Sequence, residues 1–396
     1  MARRAIIAWE IGGGRGHVVH LAAIAAALTA RGFKCFAYLV HMEHAAEIAP
    51  HCDDVRQGPY FPYREPGEHL KPSSRYGDWL GLHHFDEPQV LRTSIERWRR
   101  VIEEHDPAIM VAEQSPGAIL AARSMGVPVV HVGVPVTTPP PQMPDYPSYV
   151  PELQEALYDQ TKLRDAINEA ILDYGLPSLP ALPALYTADD EVVATLNLLD
   201  RYRDWRTSPR VPPTVGTWSE PGERLREEAF VYLSTSDRFD PVIITAIATL
   251  DVPRRVMIAA NASLPVGIMR ARGVTLEEQP MPAGEIARRA RVLVHAGNHG
   301  MSCLGLRAGL PQVTLSGQPE HVYDGRQIAQ MGAGLMVEYE HWSVPTIHQA
   351  IRTAWSSPQM TERAVAVAQE FSDEFEGDPG ELTADRIETL IGTRIL

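Results

Sequence analysis

Short apolar runs alternate with longer amphipathic stretches along the chain, a pattern that predicts strands separated by helices. Near the start, Ala5 to Trp9 is predicted to form a buried strand, and Val18 to Ala30 a helix. A second strand is predicted from Lys34 to Val40. A strand, a helix and a strand within about forty residues form a βαβ unit, so the sheet should be parallel with right-handed crossovers.

The alternation of strands and helices continues and then restarts in the second half of the chain. Further strands are predicted at 109–112, 127–132, 229–233, 256–259, 292–296 and 312–315, with helices at 117–124 and 241–250. The predicted fold class is therefore α/β, with two facing doubly wound, Rossmann-like domains. A length of 396 residues, 44% of them hydrophobic, suits two such domains better than a single core.

Two proline-rich stretches interrupt this pattern. The segment 207–222 is the most linker-like part of the sequence, so we predict an N-terminal domain at 1–206 and a C-terminal domain at 223–370. The stretch from Pro135 to about Pro183 is predicted to form loops over a ligand-binding cleft, because long loops in a compact α/β domain usually carry function. In two facing domains of this kind, the cleft is expected at the carboxyl ends of the strands.

Composition and charge exclude several classes of protein. A formal net charge of −14 repels nucleic acid, and glutamates interleave with the arginine cluster at 92–100, so no nucleic-acid partner is expected. Three well-separated cysteines form neither a disulfide framework nor a zinc quartet, which favours a reducing compartment. Only five apolar residues lie between Arg4 and Glu10, too few for a signal peptide, and no window resembles a membrane span. We expect a soluble, cytoplasmic protein; its oligomeric state is not indicated.

The first glycine loop, Gly12-Gly-Gly14, follows a strand and opens a helix, as in dinucleotide-binding proteins. The third fingerprint position is His17 instead of glycine, and no acidic residue caps the second strand, so a nicotinamide or flavin cofactor is not predicted. The loop also lacks the lysine with serine or threonine of phosphate-loop NTPases. What remains is a histidine at a helix start, where the positive helix end favours the neutral ring that a general base needs.

A second glycine turn follows the strand at 292–296. Gly297 and Gly300 let backbone approach a ligand closely, and Met301 to Ala308 is predicted to be a helix. Unpaired amides at such a helix start bind phosphate well. The alternative interpretation is an ordinary strand-to-helix turn that contains a core histidine.

Four sequence elements together resemble bacterial GT-B glycosyltransferases of the family 1 type, which are similar to plant and antibiotic UDP-sugar transferases. The elements are Gly14-Arg-Gly-His17, the segment 106–113, Val231-Tyr-Leu-Ser-Thr-Ser236, and the turn at 292–302 continued to Gly317-Gln-Pro-Glu-His321. The likeness covers nearly the whole chain. It implies that 1–206 binds the acceptor, that 223–370 binds the nucleotide sugar, and that 371–396 forms a helix packing back on the N-terminal domain.

The resemblance also implies roles for individual residues. His17 would be the catalytic base and Glu113 would orient it, where the family has an aspartate. The implied donor-binding residues are Gly14, Ser234, Thr235, Ser236, Met281, His295, Gly297, Asn298, His299, Gly300, Met301, Ser302, Glu320 and His321. The implied reaction is inverting and needs neither metal nor cofactor, because the amides of the turn can stabilise the leaving diphosphate.

The identity of donor and acceptor is less clear from the sequence. A UDP-sugar is favoured, but Cys303 or Leu304 stands where the family has its ribose-binding glutamate, so a dTDP- or GDP-sugar stays possible. A small or medium organic acceptor is expected. Its predicted contacts, which could equally be core residues, are Tyr76, Trp79, His83 and Phe85.

Three alternatives stay open at this point. The histidine pairs at 41–44 and 83–84 could suggest a metal, but neither has the Cys or carboxylate neighbours of a tight site, so no metal is predicted. A sugar-nucleotide epimerase or hydrolase of the same fold would share the diphosphate turn without an acceptor pocket. A non-catalytic sugar-nucleotide-binding protein would keep the donor site and could lose His17 without consequence.

Overall fold

The computed structural model describes residues 3–64, 73–216, 218–220, 222–233, 240–258 and 263–395. The chain forms two compact units. Unit 1 comprises Met1–Thr214 and Gly377–Leu396, and unit 2 comprises Val215–Glu376. The boundary after Thr214 lies within the segment of 207–222 that the sequence analysis selected as a linker, and the chain returns to unit 1 at Gly377.

In the described part of unit 1, seven strands form one parallel sheet in the order β3-β2-β1-β4-β5-β6-β7. The strands are β1 (Arg4–Trp9), β2 (Lys34–Leu39), β3 (Asp54–Gln57), β4 (Ile109–Glu113), β5 (Val129–Gly133), β6 (Asp190–Ala194) and β7 (Arg210–Val211). The order reverses between β1 and β4, which are neighbours with Trp9 paired to Glu113. In doubly wound sheets, such a reversal point is where ligands bind, beyond the carboxyl ends of the strands.

The helices of unit 1 cover both faces of its sheet. They are α1 (Arg15–Ala30), α2 (Ala45–Ile48), α3 (Tyr76–Leu82), α4 (Pro88–His105), α5 (Pro116–Ser124), α6 (Gln160–Ile171) and the C-terminal helix α14 (Pro379–Ile395). Two buried apolar clusters lie between the sheet and these helices, as expected for β-strands buried on both sides. Helix α14 packs on α1, where Gly380 allows close approach to the Ala23 carbonyl.

Unit 2 repeats this plan. Among its described residues, six strands form a parallel sheet in the order β10-β9-β8-β11-β12-β13. The strands are β8 (Glu228–Leu233), β9 (Arg254–Ile258), β10 (Thr275–Glu277), β11 (Ala290–His295), β12 (Gln312–Ser316) and β13 (Gly334–Glu338). The helices are α7 (Pro241–Thr249), α8 (Ser263–Ala271), α9 (Ala283–Arg289), α10 (His299–Ala308), α11 (Pro319–Gln330), α12 (Val344–Ser356) and α13 (Pro358–Glu370). The order reverses between β8 and β11.

The prediction of two parallel-sheet α/β domains is confirmed. Two helix starts differ from the sequence prediction, because α1 begins at Arg15 instead of Val18 and α10 begins at His299 instead of Met301. Glycine-rich starts carry little apolar periodicity, so the pattern places them too late. The earlier starts put His17 and His299 on the first turns of their helices. None of the helices in the described ranges is long and apolar enough to span a membrane.

Candidate active site

In unit 1, His17 and Glu113 meet at the reversal point of the sheet. His17 lies on the first turn of α1, and Glu113 is the last residue of β4. The Nδ1 atom of His17 lies 2.8 Å from Oε1 of Glu113, whose side chain is only 2% exposed. Because a carboxylate accepts, Nδ1 carries the proton and the lone pair of Nε2 is left for a substrate. The histidine ring is 17% exposed, so a ligand can reach it.

Trp9 fixes the plane of the His17 ring. The two rings stack with centroids 4.9 Å apart and planes 21° from parallel, and the indole Nε1 donates to the Ile11 carbonyl at 2.7 Å. Stacking on the indole restricts rotation of the imidazole ring. Sequence reasoning treated Trp9 only as part of a strand. Its place directly before the glycine loop was the available signal.

The glycine loop packs closely against Gln114 and His17. Gly12 has φ of 100°, and a Cβ there would lie 2.8 Å from Oε1 of Gln114 and 3.4 Å from Nε2 of His17. Gln114 was not predicted as a site residue. Gly14, predicted to contact the donor, has φ of 108° at the N-cap of α1 and has open space around it. Positive φ of this kind favours glycine.

His20 lies one turn after His17 and is a structural residue in this arrangement. Its Nδ1 lies 3.0 Å from Oγ1 of Thr214. Burial lowers the pKa of His20, which keeps the ring neutral near neutral pH. The ring is therefore not a second charged group beside Glu113.

In unit 2, His295 supports the predicted anion-binding turn through hydrogen bonds. The Nδ1 atom of His295 accepts the Gly297 N–H at 3.1 Å, and Nε2 donates to Oε1 of Gln312 at 2.9 Å. Burial lowers the pKa of His295 to about 4, which matches the neutral ring that these bonds require. Both ring nitrogens are occupied and the residue is 1% exposed, so the ring supports the turn and offers no free donor to a ligand.

The first turn of α10 offers backbone amides. The first helical hydrogen bond runs from Ser302 N–H to the Asn298 carbonyl, so the amides of His299, Gly300 and Met301 have no acceptor within the helix. No side chain in the described ranges caps this end of the helix. Three such amides and the helix dipole favour a bound anion.

Several buried polar atoms around this turn have no hydrogen-bond partner among the described residues. They are Oδ1 of Asn298, Oγ of Ser302, Oγ1 of Thr314, Oγ of Ser316 and Nδ1 of His321. Native structures rarely leave buried polar atoms unpaired, so a cluster of this kind marks a place for water or a polar ligand. Gly297, with φ of 96°, lets His321 pack closely against the turn, because a Cβ there would lie 2.7 Å from the His321 carbonyl.

His299 carries charge at this turn. Its Nδ1 lies 2.9 Å from Oδ2 of Asp324, and its Nε2 lies 3.5 Å from Sγ of Cys303. Burial alone would lower the pKa of His299, but Cys303 and the Asp324 carboxylate outweigh it and raise the pKa well above its usual value. Both ring nitrogens are occupied by these partners, so in this arrangement the backbone N–H of His299 is the group that faces a ligand.

The other predicted donor residues are placed as follows. Glu320 and His321 lie on the first turn of α11, directly after the Gly317 loop, and both are half-buried. Met281 lies in the loop between β10 and α9 and is also half-buried. Ser234, Thr235 and Ser236 lie outside the described residues.

The predicted acceptor residues of unit 1 are mostly interior. Tyr76 and Phe85 belong to the apolar core; the Tyr76 hydroxyl lies 2.7 Å from that of Tyr186. His83 is buried and its Nδ1 donates to the Trp79 carbonyl at 2.8 Å, while Trp79 is half-buried. The packing interpretation thus fits Tyr76, His83 and Phe85, and their contact with an acceptor stays a prediction. Within the described ranges, no three His, Cys, Asp or Glu side chains are grouped to hold a metal ion.

Known proteins resemble this chain in fold and in sequence. The chain is 25% identical to dTDP-epi-vancosaminyltransferase of Amycolatopsis orientalis over 390 residues, which cover 90% of this chain and 91% of that protein. It is 24% identical to erythronolide mycarosyltransferase of Saccharopolyspora erythraea over 90 residues, 23% of this chain and only 22% of that relative. The solved structure of spinosyn rhamnosyltransferase SpnG complexed with thymidine diphosphate matches with a TM-score of 0.66 at 15% identity, over 96% of this chain and 98% of that one.

These matches and the two reversal-point sites define the class: the chain is a glycosyltransferase of the GT-B fold. Within it, residues 243–389 match the C-terminal domain of the erythromycin biosynthesis protein CIII-like family. The matched range includes the turn at 295–302 and the start of α11, where buried polar atoms without partners among the described residues cluster.

Proposed function

We propose that this glycosyltransferase transfers a sugar from a nucleoside diphosphate sugar to a hydroxyl of a small or medium organic acceptor, with inversion and without a metal. The observation that carries the proposal is the His17–Glu113 pair. It holds one imidazole nitrogen at a buried carboxylate and leaves the other as a base on a reachable ring. A positioned base of this kind is what an acceptor hydroxyl needs in order to attack an anomeric carbon.

The proposed reaction is a single displacement. Nε2 of His17 takes the proton of the acceptor hydroxyl while the hydroxyl oxygen forms a bond to the anomeric carbon. The bond from that carbon to the diphosphate oxygen breaks, and the nucleoside diphosphate leaves with the electron pair. Glu113 stabilises the imidazolium that forms, and one displacement at the anomeric carbon inverts its configuration.

The leaving diphosphate is assigned to the first turn of α10. The amides of His299, Gly300 and Met301 are unpaired within the helix and suit a dianionic group. Unpaired Oγ of Ser302 and Nδ1 of His321 add groups that can bind a phosphate or a sugar hydroxyl. These groups support a reaction in which backbone amides take the place of a metal ion.

For the nucleotide, we propose thymidine diphosphate ahead of uridine diphosphate. The sequence resemblance favoured UDP, yet Cys303 or Leu304 stands where the family has its ribose-binding glutamate, and Cys303 is buried against His299. Two relatives carry dTDP in their names or bind thymidine diphosphate, which supports the same choice. No structural feature of the described residues selects the sugar.

The experiment is a thermal-shift panel of dTDP-, UDP- and GDP-sugars, followed by acceptor screening with the donor that stabilises the protein most. A ligand that binds only the native state raises the unfolding temperature in proportion to its affinity. We expect a dTDP-sugar to give the largest shift, and transfer to proceed in the presence of a metal chelator. Free sugar released without any acceptor would favour a hydrolase, and transfer abolished by the chelator would contradict the metal-free reaction.

A further inference from the structure

The turn that follows Glu113 has an unusual backbone. Gln114 has φ of 45°, in the left-handed region that few residues other than glycine adopt. Strand β4 ends at Glu113 and helix α5 begins at Pro116, so the reversal from strand to helix takes only two residues. Strained residues in such sharp turns occur mainly where a side chain has to be presented to a ligand.

Buried hydrogen bonds hold this turn in place. Ser115 Oγ donates to the Glu113 carbonyl at 2.8 Å, and the Glu10 carboxyl accepts the N–H groups of Gly117 and Ala118 at 2.7 and 3.2 Å. Burial raises the pKa of Glu10 to about 7, although its hydrogen-bond donors act in the opposite direction. The start of α5 is thus fixed from the adjacent strand, and the strained residue cannot relax without breaking these bonds.

The side chain of Gln114 is buried but only half satisfied. Its amide hydrogen-bonds to the Tyr76 hydroxyl, while its Oε1 is a buried atom with no partner among the described residues. The Nε2 group is therefore the donor to Tyr76, and the carbonyl oxygen is left as an acceptor. A buried carbonyl without a donor is unfavourable unless a ligand or water supplies one.

Two hydrogen-bond acceptors lie close to Gly12. The position that a Cβ of Gly12 would occupy lies 2.8 Å from Oε1 of Gln114 and 3.4 Å from Nε2 of His17. Nε2 is the acceptor of that ring, because Nδ1 donates to Glu113. A molecule that contacts both atoms therefore meets two acceptors and gains most if it offers two donors.

We propose that Gln114 determines acceptor specificity, and that the acceptor carries a second hydroxyl next to the one that reacts, as in a vicinal diol or a catechol. The reacting hydroxyl gives its proton to Nε2 of His17, and the neighbouring hydroxyl donates to Oε1 of Gln114 and keeps its proton. This inference rests on the proposed function and names the acceptor class for the same site. An acceptor with one hydroxyl leaves the Gln114 carbonyl unpaired and is disfavoured.

The test uses pairs of acceptors that differ by one hydroxyl, namely 4-nitrocatechol with 4-nitrophenol and cis-1,2-cyclohexanediol with cyclohexanol. The donor is the nucleotide sugar that stabilises the protein most. In the wild-type enzyme, kcat/KM should favour the dihydroxy member of a pair by at least about tenfold, the value of one hydrogen bond to a buried neutral acceptor.

Two variants separate specificity from folding. Gln114→Met keeps the length of the side chain without its carbonyl, and the preference should fall close to one. Gln114→Asn keeps the carbonyl and suits the left-handed backbone but is shorter, so an intermediate preference is expected. Unchanged donor-induced thermal shifts show that each variant is folded. A purely structural role would lower kcat/KM for both members of a pair equally.

The outcomes are distinct. Equal kcat/KM for both members of every pair in the wild-type enzyme overturns the inference and leaves the proposed function standing. A preference that is the same in the wild type, Gln114→Met and Gln114→Asn also overturns it. Donor binding without transfer to any hydroxyl acceptor overturns the proposed function, and the inference falls with it.

Discussion

His17 in unit 1 and His295 in unit 2 occupy similar positions in sequence and differ in what they can do. Each lies beside a glycine turn at the point where the strand order of its sheet reverses. His17 has Nδ1 at Glu113, and its Nε2 lies close to Gly12. His295 has both nitrogens bonded inside the protein. The second nitrogen, and not the motif, decides whether a histidine acts on a substrate or supports a turn.

The partners of the two rings explain this division. Glu113 is a carboxylate and can stabilise a positive ring, whereas Gln312 is neutral and its carbonyl fixes one tautomer of His295. The amides that His295 helps to position, at the start of α10, are the groups suited to the diphosphate. In the proposed reaction, unit 1 supplies the base and unit 2 the anion site, so substitutions at the two histidines should have different effects.

The largest effect is expected for His17→Ala. Removing the base should lower kcat by about 10²–10⁴, the range for a positioned general base, while the affinity for the donor is kept. Steady-state transfer rates at saturating donor and acceptor measure it. His44→Ala, at a histidine of the same unit outside the site, is the control and should keep the wild-type rate. An unchanged transfer rate in His17→Ala would show that His17 is not the base.

His295→Leu should act mainly on stability. It leaves the Gly297 N–H and Oε1 of Gln312 buried without partners, which should lower the free energy of unfolding by about 2–4 kcal/mol. Denaturant titration measures this loss, which should exceed that of His17→Ala, because water can replace a partly exposed ring. If His295→Leu lost no more stability than His17→Ala, the structural role of His295 would be contradicted.

The stability of the wild type and of His295→Leu should also differ in its dependence on pH. The pKa of His295 is lowered to about 4 by burial, so its contribution to stability is present above the unfolded value near 6.5 and is lost as the pH falls towards 4. The stability advantage of the wild type over His295→Leu should therefore shrink between pH 6.5 and 4. An advantage that grows on acidification would show that the buried ring is charged.

A moderate effect is expected for Gly297→Ala. The residue has φ of 96°, and the added Cβ would lie 2.7 Å from the His321 carbonyl, so the turn must shift. We expect the affinity for the nucleoside diphosphate to fall by about tenfold, equivalent to about 1.4 kcal/mol. Gly267→Ala, on helix α8 with nothing near the added Cβ, is the matched control and should bind as the wild type does. Equal affinities of Gly297→Ala and Gly267→Ala for the nucleoside diphosphate would show that the turn does not bind the anion.

The smallest effect is expected for Trp9→Leu. Loss of the ring stacked on His17 should lower kcat by about three- to tenfold, because the imidazole ring then rotates more freely. Trp9→Phe keeps a ring at the same place and should recover part of the rate. A thermal-shift measurement with the donor separates this effect from unfolding. Equal rates for the two variants would show that stacking has no role.

Much of this description could be predicted from the sequence. Strand-to-helix alternation predicted the two parallel sheets, and the family resemblance implied the His17–Glu113 contact, in which the two side chains lie 2.8 Å apart. Both depend on local patterns and on parallel topology, which brings the ends of adjacent strands together. The helix starts were placed late because glycine-rich turns carry little periodic signal.

The rest depends on contacts that sequence does not encode locally. Gln114 has a left-handed backbone and a side-chain carbonyl without a partner among the described residues. The local sequence Glu-Gln-Ser-Pro predicts neither property. The role of His295 is set by Gln312, a residue on the next strand. Tyr76 and Phe85 looked like acceptor contacts because aromatic density does not distinguish a pocket from a core.

In the proposed reaction, the turn at 297–302 binds the diphosphate and His17 acts on the acceptor. Calorimetric titration of the wild type, His17→Ala and Gly297→Ala with thymidine diphosphate separates these two roles. We expect equal affinities for the wild type and His17→Ala, and a clearly weaker affinity for Gly297→Ala. Weakened binding by His17→Ala together with wild-type binding by Gly297→Ala would contradict this assignment of roles.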